Sequence, residues 1–315
     1  MDAAHLFRDR TVQILAVSIK TSGGLLVRDL PKQLPAEARD RTDNIQKSLL
    51  SHGLIDAEIV VVCTKTQAQT ARAPSREVLE RLSKQGLKCA CGRPIADERI
   101  EEALTITDLG RSLLDGNRWL ILLLVEELQQ VGVPLDRILT EQQVGGDEID
   151  CLADISGELA FFELKDKDFN LGNAYSFGAK IGIIRPDHPV ILSTQRIGGD
   201  AREHFERARL ARRSRSGEYY LSEEEPAEIH YIEGLNCLPE GIQALASTIY
   251  ARDARRILNR VLPLASLDSG SLIAAIEGRR APEPASTDLS PAQWSQPAPD
   301  SAESSTNSLQ PVGRQ

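Results

Sequence analysis

Residues 158–165 read Glu-Leu-Ala-Phe-Phe-Glu-Leu-Lys, and few folds can accommodate them. Strand alternation puts Leu159, Phe161, Glu163 and Lys165 on one face and Ala160, Phe162 and Leu164 on the other. Both faces are largely apolar, which marks a central strand covered on two sides. The run nevertheless ends in two charged side chains, and burying a charge is costly unless it is paired or holds a cation. Upstream, residues 148–154 form a second strand-like run, set between the turn signals Gly145-Gly146 and Ser156-Gly157. The short connection makes the two runs an antiparallel hairpin. Asp150 can then bring a second carboxylate to the cleft of Glu163. Two carboxylates beside a lysine suit phosphodiester hydrolysis. The acids hold a hard divalent cation, the cation activates water, and the ammonium faces the growing negative charge or orients the attacking water.

This arrangement, Ile149-Asp150, a turn, then Phe162-Glu163-Leu164-Lys165, resembles the PD-(D/E)xK nuclease superfamily. The resemblance spans residues 119–194. It implies a restriction-endonuclease-like α/β core, a mixed central sheet flanked by helices, in the order helix, three antiparallel strands, helix, strand. The chain supplies that order as a helix at 118–131, a strand at 138–144, the hairpin, a helix at 171–180 and a strand at 189–193. The resemblance further implies that Asp150 and Glu163 ligate Mg²⁺ (Mn²⁺ as substitute), with the Leu164 carbonyl as a further candidate ligand, and that Lys165 is catalytic. Ile149 stands where the family pattern has proline, which many members also lack, and Glu148 is either an extra ligand or a solvated hairpin charge. The family often adds an acid from its first helix. Leu120, Leu124, Leu128 and Val131 set the buried stripe there, which puts Glu127 at its edge and Glu126 in solvent, so Glu127 is the candidate. Asn173, Tyr175 and Lys180 on the following helix form no pattern.

The first 75 residues read as helices at 4–20, 25–34 and 36–51 followed by a strand at 58–64. Three helices before a strand pair, with the junction Leu49-Leu50-Ser51-His52-Gly53-Leu54-Ile55, resemble a winged-helix domain. Its candidate phosphate contacts are Arg39, Arg41 and Lys47; a small helical domain that never touches DNA is the alternative. Residues 76–115 are expected to be a connecting helix and a Cys-Ala-Cys segment. Cys89 and Cys91, with Cys63 and His52, could assemble four zinc ligands after folding. The Cys-x-Cys spacing lacks a second tight pair, so zinc is expected to be absent or non-essential. The nuclease core is expected over 116–215, a helical cap or oligomerisation element over 216–279, and a disordered tail rich in Pro, Ser, Ala and Gln over 280–315.

Five cysteines make no disulfide framework and fit a reducing cytoplasm. No secretion signal or membrane-spanning apolar run is visible. The net charge of −9 excludes a non-specific nucleic-acid coat protein, but a carboxylate-lined site is itself acidic and needs only a local basic face. One such face lies between Arg196 and Arg215, where seven arginines meet three acids; a solvated helix of mixed charge is the plainer reading. The expected function is a cytoplasmic Mg²⁺-dependent nuclease acting on DNA in restriction, phage defence or repair, as a homodimer or with a partner protein that supplies the trigger. The alternatives are a non-catalytic DNA-binding or assembly subunit that keeps the fold, and a zinc-stabilised regulator built on the winged helix.

Overall fold

Asp9 starts the first long helix by accepting the Thr11 N–H at 2.8 Å, and Gly23, at φ 65°, ends it. The computed structural model describes residues 2–215 and 227–261. The chain opens with α1 (Asp2–His5), a 3-10 turn and α2 (Arg10–Ser22), followed by β1 (Leu25–Leu26) and α3 (Thr42–Ser51). The helix expected at 25–34 is instead a two-residue strand followed by a 3-10 segment, Val27–Gln33. Gly24, at φ 134°, turns the chain onto a sheet edge, and Pro31 lacks the N–H an α-helix would use. The third expected helix begins as 3-10 turns at Ala36–Arg41 and becomes α-helical only at Thr42.

Next come β2 (Ile55–Val62), β3 (Gln69–Ala73), α4 (Arg76–Lys84), β4 (Arg99–Ile106) and α5 (Asp108–Leu114). The first sheet is antiparallel, in the order β1-β4-β2-β3. The expected boundary after residue 75 therefore does not hold. Residues 76–115 supply β4, which pairs with β2 from Ile55–Ile106 to Val62–Arg99 and with β1 on its other side. Its sequence, Arg-Ile-Glu-Glu-Ala-Leu-Thr-Ile, breaks alternation at the two glutamates and so carries little strand signal. Gly110 lets α5 approach the first sheet, since a Cβ there would lie 2.2 Å from the Leu54 carbonyl oxygen.

The second sheet follows α6 (Arg118–Gln130). Its elements are β5 (Ile138–Val144), β6 (Asp147–Ile155), β7 (Glu158–Lys165), α7 (Leu171–Ile184), β8 (His188–Ser193), α8 (Gly199–Arg215), β9 (His230–Glu233) and α9 (Leu238–Val261). The strand order is β5-β6-β7-β8-β9, with β5, β6 and β7 antiparallel and β8 and β9 running parallel to β7. From α6 to β8 the elements occur in the order expected. β9 corrects the reading of 227–277 as helical throughout; four residues are too few to show a period of two.

Helices cover both faces of this mixed sheet. On one face Leu120, Leu124 and Leu128 of α6 share a core with Cys151, Ala153, Phe162 and Val190. The same core takes in Phe7, Leu15 and Ile19 from the N-terminal helices and Leu238, Ile242, Leu245 and Ile249, a helical stripe on α9. Burying each large aliphatic side chain of this stripe contributes roughly 1.5–3 kcal/mol. On the other face Phe161 and Ile191 pack with Phe177 of α7 and Phe205 of α8. The described residues up to Ile257 accordingly fall in one compact unit. Among the described residues no helix is long and apolar enough to cross a membrane. The tail at 280–315 and much of the expected helical region, residues 216–226 and 262–279, lie outside the described residues.

Candidate functional site

β6 and β7 pair from Ile155–Glu158 as far as Cys151–Phe162, and there the ladder stops although both strands continue. Beyond that point β7 stays with β8, Glu163 opposite Ile191 and Lys165 opposite Ser193, while β6 stays with β5. The sheet forks, and Asp150 stands in the fork. Its neighbour on β5 is displaced too: Glu141 has φ 52° and drops out of the ladder between the Thr140–Cys151 and Gln142–Ile149 pairs. A non-glycine residue in that region costs on the order of 1 kcal/mol, so the surrounding pairs must hold it there. The Asp150 side chain replaces the missing backbone bond, its Oδ2 accepting the Leu164 N–H at 2.7 Å. Among the described residues Oδ1 accepts no hydrogen bond.

Glu163 lies opposite Asp150 across the fork and is 1% exposed. Its Oε1 is 2.8 Å from the Lys165 ammonium and its Oε2 accepts from the Lys180 ammonium at 2.9 Å. Lys180 comes from α7, one turn after Phe177, whose ring packs 5.0 Å from that of Phe161. The ring contact fixes the helix over this face of β7 and so aims Lys180 at Glu163. Lys165, two residues beyond Glu163 on the same strand face, is a quarter exposed and is the solvent-facing one of the two ammoniums.

The electrostatics follow from this crowding. Burial, reinforced by the Glu163 charge, pushes the Asp150 carboxyl up to about 6, against the pull of the Leu164 N–H and the two ammoniums. At Lys165 burial opposes the charge, but Glu163 and, behind it, Asp150 and Glu148 outweigh burial and raise the ammonium above its ordinary value. The site is thus two carboxylates and two ammoniums, largely buried, where each charge is held by the others.

Asp150, Glu163 and Lys165 are therefore brought together as the sequence indicates. Glu127 is not. It is buried, as the helical wheel requires, but it lies on α6, which covers the opposite sheet face, and its partner is Arg8 at 3.5 Å. Among the described residues no hydrogen bond or ion pair joins it to Asp150, Glu163 or Lys165. Glu126 is half-buried against His5 rather than left in solvent. Lys180 is the residue the sequence did not single out. The one available signal was a lone lysine in the apolar stretch Phe-Gly-Ala-Lys-Ile-Gly-Ile-Ile, which must find an anion if buried.

The remaining candidates are dispersed. Arg39, Arg41 and Lys47 are exposed, but Arg41 is paired with Asp9. On α8, Arg202 pairs with Glu233, Arg207 with Glu203 and Arg209 with Glu206, so much of its positive charge is compensated locally. Cys63, Cys89 and Cys91 do converge, and Glu98 joins them; His52 instead hydrogen-bonds the Ser48 carbonyl at 2.8 Å.

No family model matches the chain, and no curated protein matches it. Among solved structures, a protein of unknown function, AF1548, is similar at 16% identity, with 49% of this chain and 91% of that one covered and a TM-score of 0.26. A repair endonuclease from Pyrococcus abyssi is similar at 11% identity, with 62% and 95% covered and a TM-score of 0.24.

Proposed function

We propose that the protein is a metal-dependent nuclease that hydrolyses phosphodiester bonds, most readily in DNA. The observation that carries this reading is the fork between β6 and β7. It holds two carboxylates, Asp150 and Glu163, and the Lys165 ammonium on one sheet face at a cleft. A scaffold has no need to open a sheet around a buried acid whose carboxyl is driven toward the neutral form. The donor set fits a hard divalent cation: among the described residues Asp150 Oδ1 accepts no hydrogen bond and is open to a ligand, Glu163 supplies a second carboxylate oxygen, and the Leu164 carbonyl follows Glu163 directly in sequence. When bound there, Mg²⁺ supplies a Lewis acid and a source of activated water. The chain's own groups do the rest. The Leu164 N–H fixes the Asp150 carboxylate. Lys165, the solvent-facing ammonium, presents a positive charge to a scissile phosphate or orients the attacking water. Lys180 holds Glu163 from within the core. Glu127 is assigned a structural part, tying α6 to Arg8.

The order of α2, α3 and the strands β1-β4-β2 supports a winged-helix-like reading of the N-terminal part, with Arg39, Arg41 and Lys47 of the exposed surface as DNA-phosphate contacts. A homodimer or a partner protein that triggers cutting fits restriction, phage defence or repair. A second reading has one observation in its favour: both oxygens of Glu163 are already taken by ammoniums, which suits a non-catalytic DNA-binding or assembly subunit that keeps the fold. Cleavage assays on single-stranded, duplex and branched DNA and RNA separate the two. The nuclease reading expects cutting that requires Mg²⁺ or Mn²⁺ and falls about a hundredfold or more in Glu163→Ala and Lys165→Ala, with DNA binding retained. Absence of cutting in every substrate and metal, with cellular extract added, supports the scaffold.

A further inference from the structure

The three clustered cysteines belong to neither the fork nor the exposed arginines. Cys63 follows the last residue of β2, and Glu98 precedes the first residue of β4. Val62 pairs with Arg99, so the sheet register itself brings Cys63 and Glu98 side by side. Cys89 and Cys91 sit on a tight knuckle closed by the Lys88–Pro94 bridge, with the Cys89 N–H donating to Arg93 and the Gly92 N–H to Cys89, each at 2.8 Å. Gly92, at φ 90°, makes that turn possible. The three Sγ atoms and one Glu98 oxygen all lie within 4.8 Å of one another, and Cys63, Cys89 and Glu98 are buried. A tetrahedral zinc with sulfur at about 2.3 Å sets its sulfurs roughly 3.8 Å apart, so the cluster needs little contraction.

We propose that Cys63, Cys89, Cys91 and Glu98 form a structural Zn²⁺ site. Three features support a metal over an ordinary thiol cluster. Glu98 is buried and, among the described residues, forms no ion pair: its Oε2 accepts from the Thr64 N–H at 2.7 Å and the Thr64 hydroxyl at 2.8 Å, and its Oε1 faces Cys91 Sγ at 3.0 Å. A carboxylate oriented by one oxygen, with the other aimed at a sulfur, is the arrangement of a metal ligand with its supporting hydrogen bond. The Thr66 N–H points at Cys63 Sγ, 3.4 Å away, as suits a bound thiolate. Lys65, Lys88, Arg93 and Arg99 lie within two residues of the four ligands along the chain, and Arg93 donates at 3.0 Å to the Thr64 hydroxyl that holds Glu98, which brings positive charge near the two negative charges that Zn²⁺ on three thiolates and a carboxylate would leave. Binding releases the three thiol protons to solvent.

The site also answers a need of the fold. The stretch between β2 and β4 carries β3 and α4 on a small core whose buried members are Val61, Ala73, Leu79 and Ile95. So few apolar residues hold a module poorly without a staple. The metal would tie the end of β2, the knuckle and the start of β4 at one point. Spacing alone undervalued this site, because two of the four ligands lie in single positions that only the β2–β4 register unites.

The test uses the full-length protein purified without chelator. One zinc per chain is expected by elemental analysis, retained in Asp150→Asn, which separates this metal from any in the fork. After removal of the zinc, Co²⁺ alone should give the visible bands of a tetrahedral site and a near-ultraviolet thiolate-to-cobalt band. Cys89→Ser or Cys91→Ser should weaken Zn²⁺ binding by about tenfold or more, whereas Glu98→Ala should keep the thiolate band and alter the visible ones. Wild-type metal content and the cobalt spectrum decide the matter even if a cysteine variant fails to fold. Zinc far below one per chain with no thiolate-to-cobalt band, or a disulfide among Cys63, Cys89 and Cys91 in protein kept under reductant, would overturn the proposal.

Discussion

Lys180→Met is the most informative single change in the core of the fork, because it removes a buried cation and keeps the side-chain volume. Glu163 would retain Lys165 at 2.8 Å but lose its partner at Oε2. Breaking a buried pair outright costs about 3–5 kcal/mol when the surviving charge is left alone. A charge-assisted hydrogen bond contributes about 1.5–3 kcal/mol. With one ammonium still in place, and that one the solvent-facing one, the expected loss is about 2 kcal/mol. For a unit of this size that corresponds to a fall in Tm of roughly 4–8 °C. Urea unfolding of the metal-free protein, followed by circular dichroism, measures it. Glu163→Gln combined with Lys180→Met should recover most of the loss, since no uncompensated charge remains, and the cycle should report a coupling of about 1–2 kcal/mol. The single variant should also bind Mn²⁺ more tightly, because nothing competes for Oε2. A Lys180→Met midpoint indistinguishable from wild type, with no coupling to Glu163, would refute this description of the site.

Other consequences can be checked as directly. With its folded value near 6 against an ordinary 3.8, Asp150 keeps a proton that the unfolded chain releases between those pH values. Its contribution to the metal-free protein is therefore most favourable below about pH 4 and is lost as pH rises through 6, by on the order of 2–3 kcal/mol. Asp150→Asn should flatten that slope in a pH series of urea titrations; an unchanged slope would assign it to another group. Replacing Arg39, Arg41 and Lys47 together by alanine in the full-length chain should lower the salt dependence of duplex binding by about two phosphate contacts, whereas an unaltered slope would place the DNA contacts elsewhere. Gly110→Ala should destabilise by about 2–3 kcal/mol or more, as the added methyl cannot coexist with the Leu54 carbonyl at 2.2 Å; a neutral effect in thermal unfolding would mean that α5 is free to shift.

The hairpin and its charged ends were legible because burial on both faces of residues 158–165 leaves so few alternatives, and the helices and strands from residue 118 to 193 fall where their periodicity places them. The rest of the fold depends on non-local pairing. β1 and β9 have two and four residues and exist only through pairing with β4 and β8. β4 carries adjacent glutamates and is a strand because β2 and β1 flank it, not because it alternates. Periodicity identifies which glutamate of α6 turns inward, yet it says nothing about which face of the sheet that helix covers or that Glu127 meets Arg8. Lys180 lies far along the chain from Asp150 on a helix with no acidic partner, and only the packing of Phe177 on Phe161 reveals its target. The N-terminal helices looked separable because their stripes are self-consistent, but Phe7, Leu15 and Ile19 share their core with Phe162 and Val190.

The central claim is that Asp150 and Glu163 together hold a catalytic divalent cation, and a crystal soaked in Mn²⁺ tests it most directly. The account predicts an anomalous peak in the fork, bonded to a carboxylate oxygen of each residue at about 2.0–2.3 Å, with one of the two ammoniums displaced from Glu163. A fork in which Glu163 keeps both lysines, with no Mn²⁺ at saturating concentration in the presence of DNA, would contradict it.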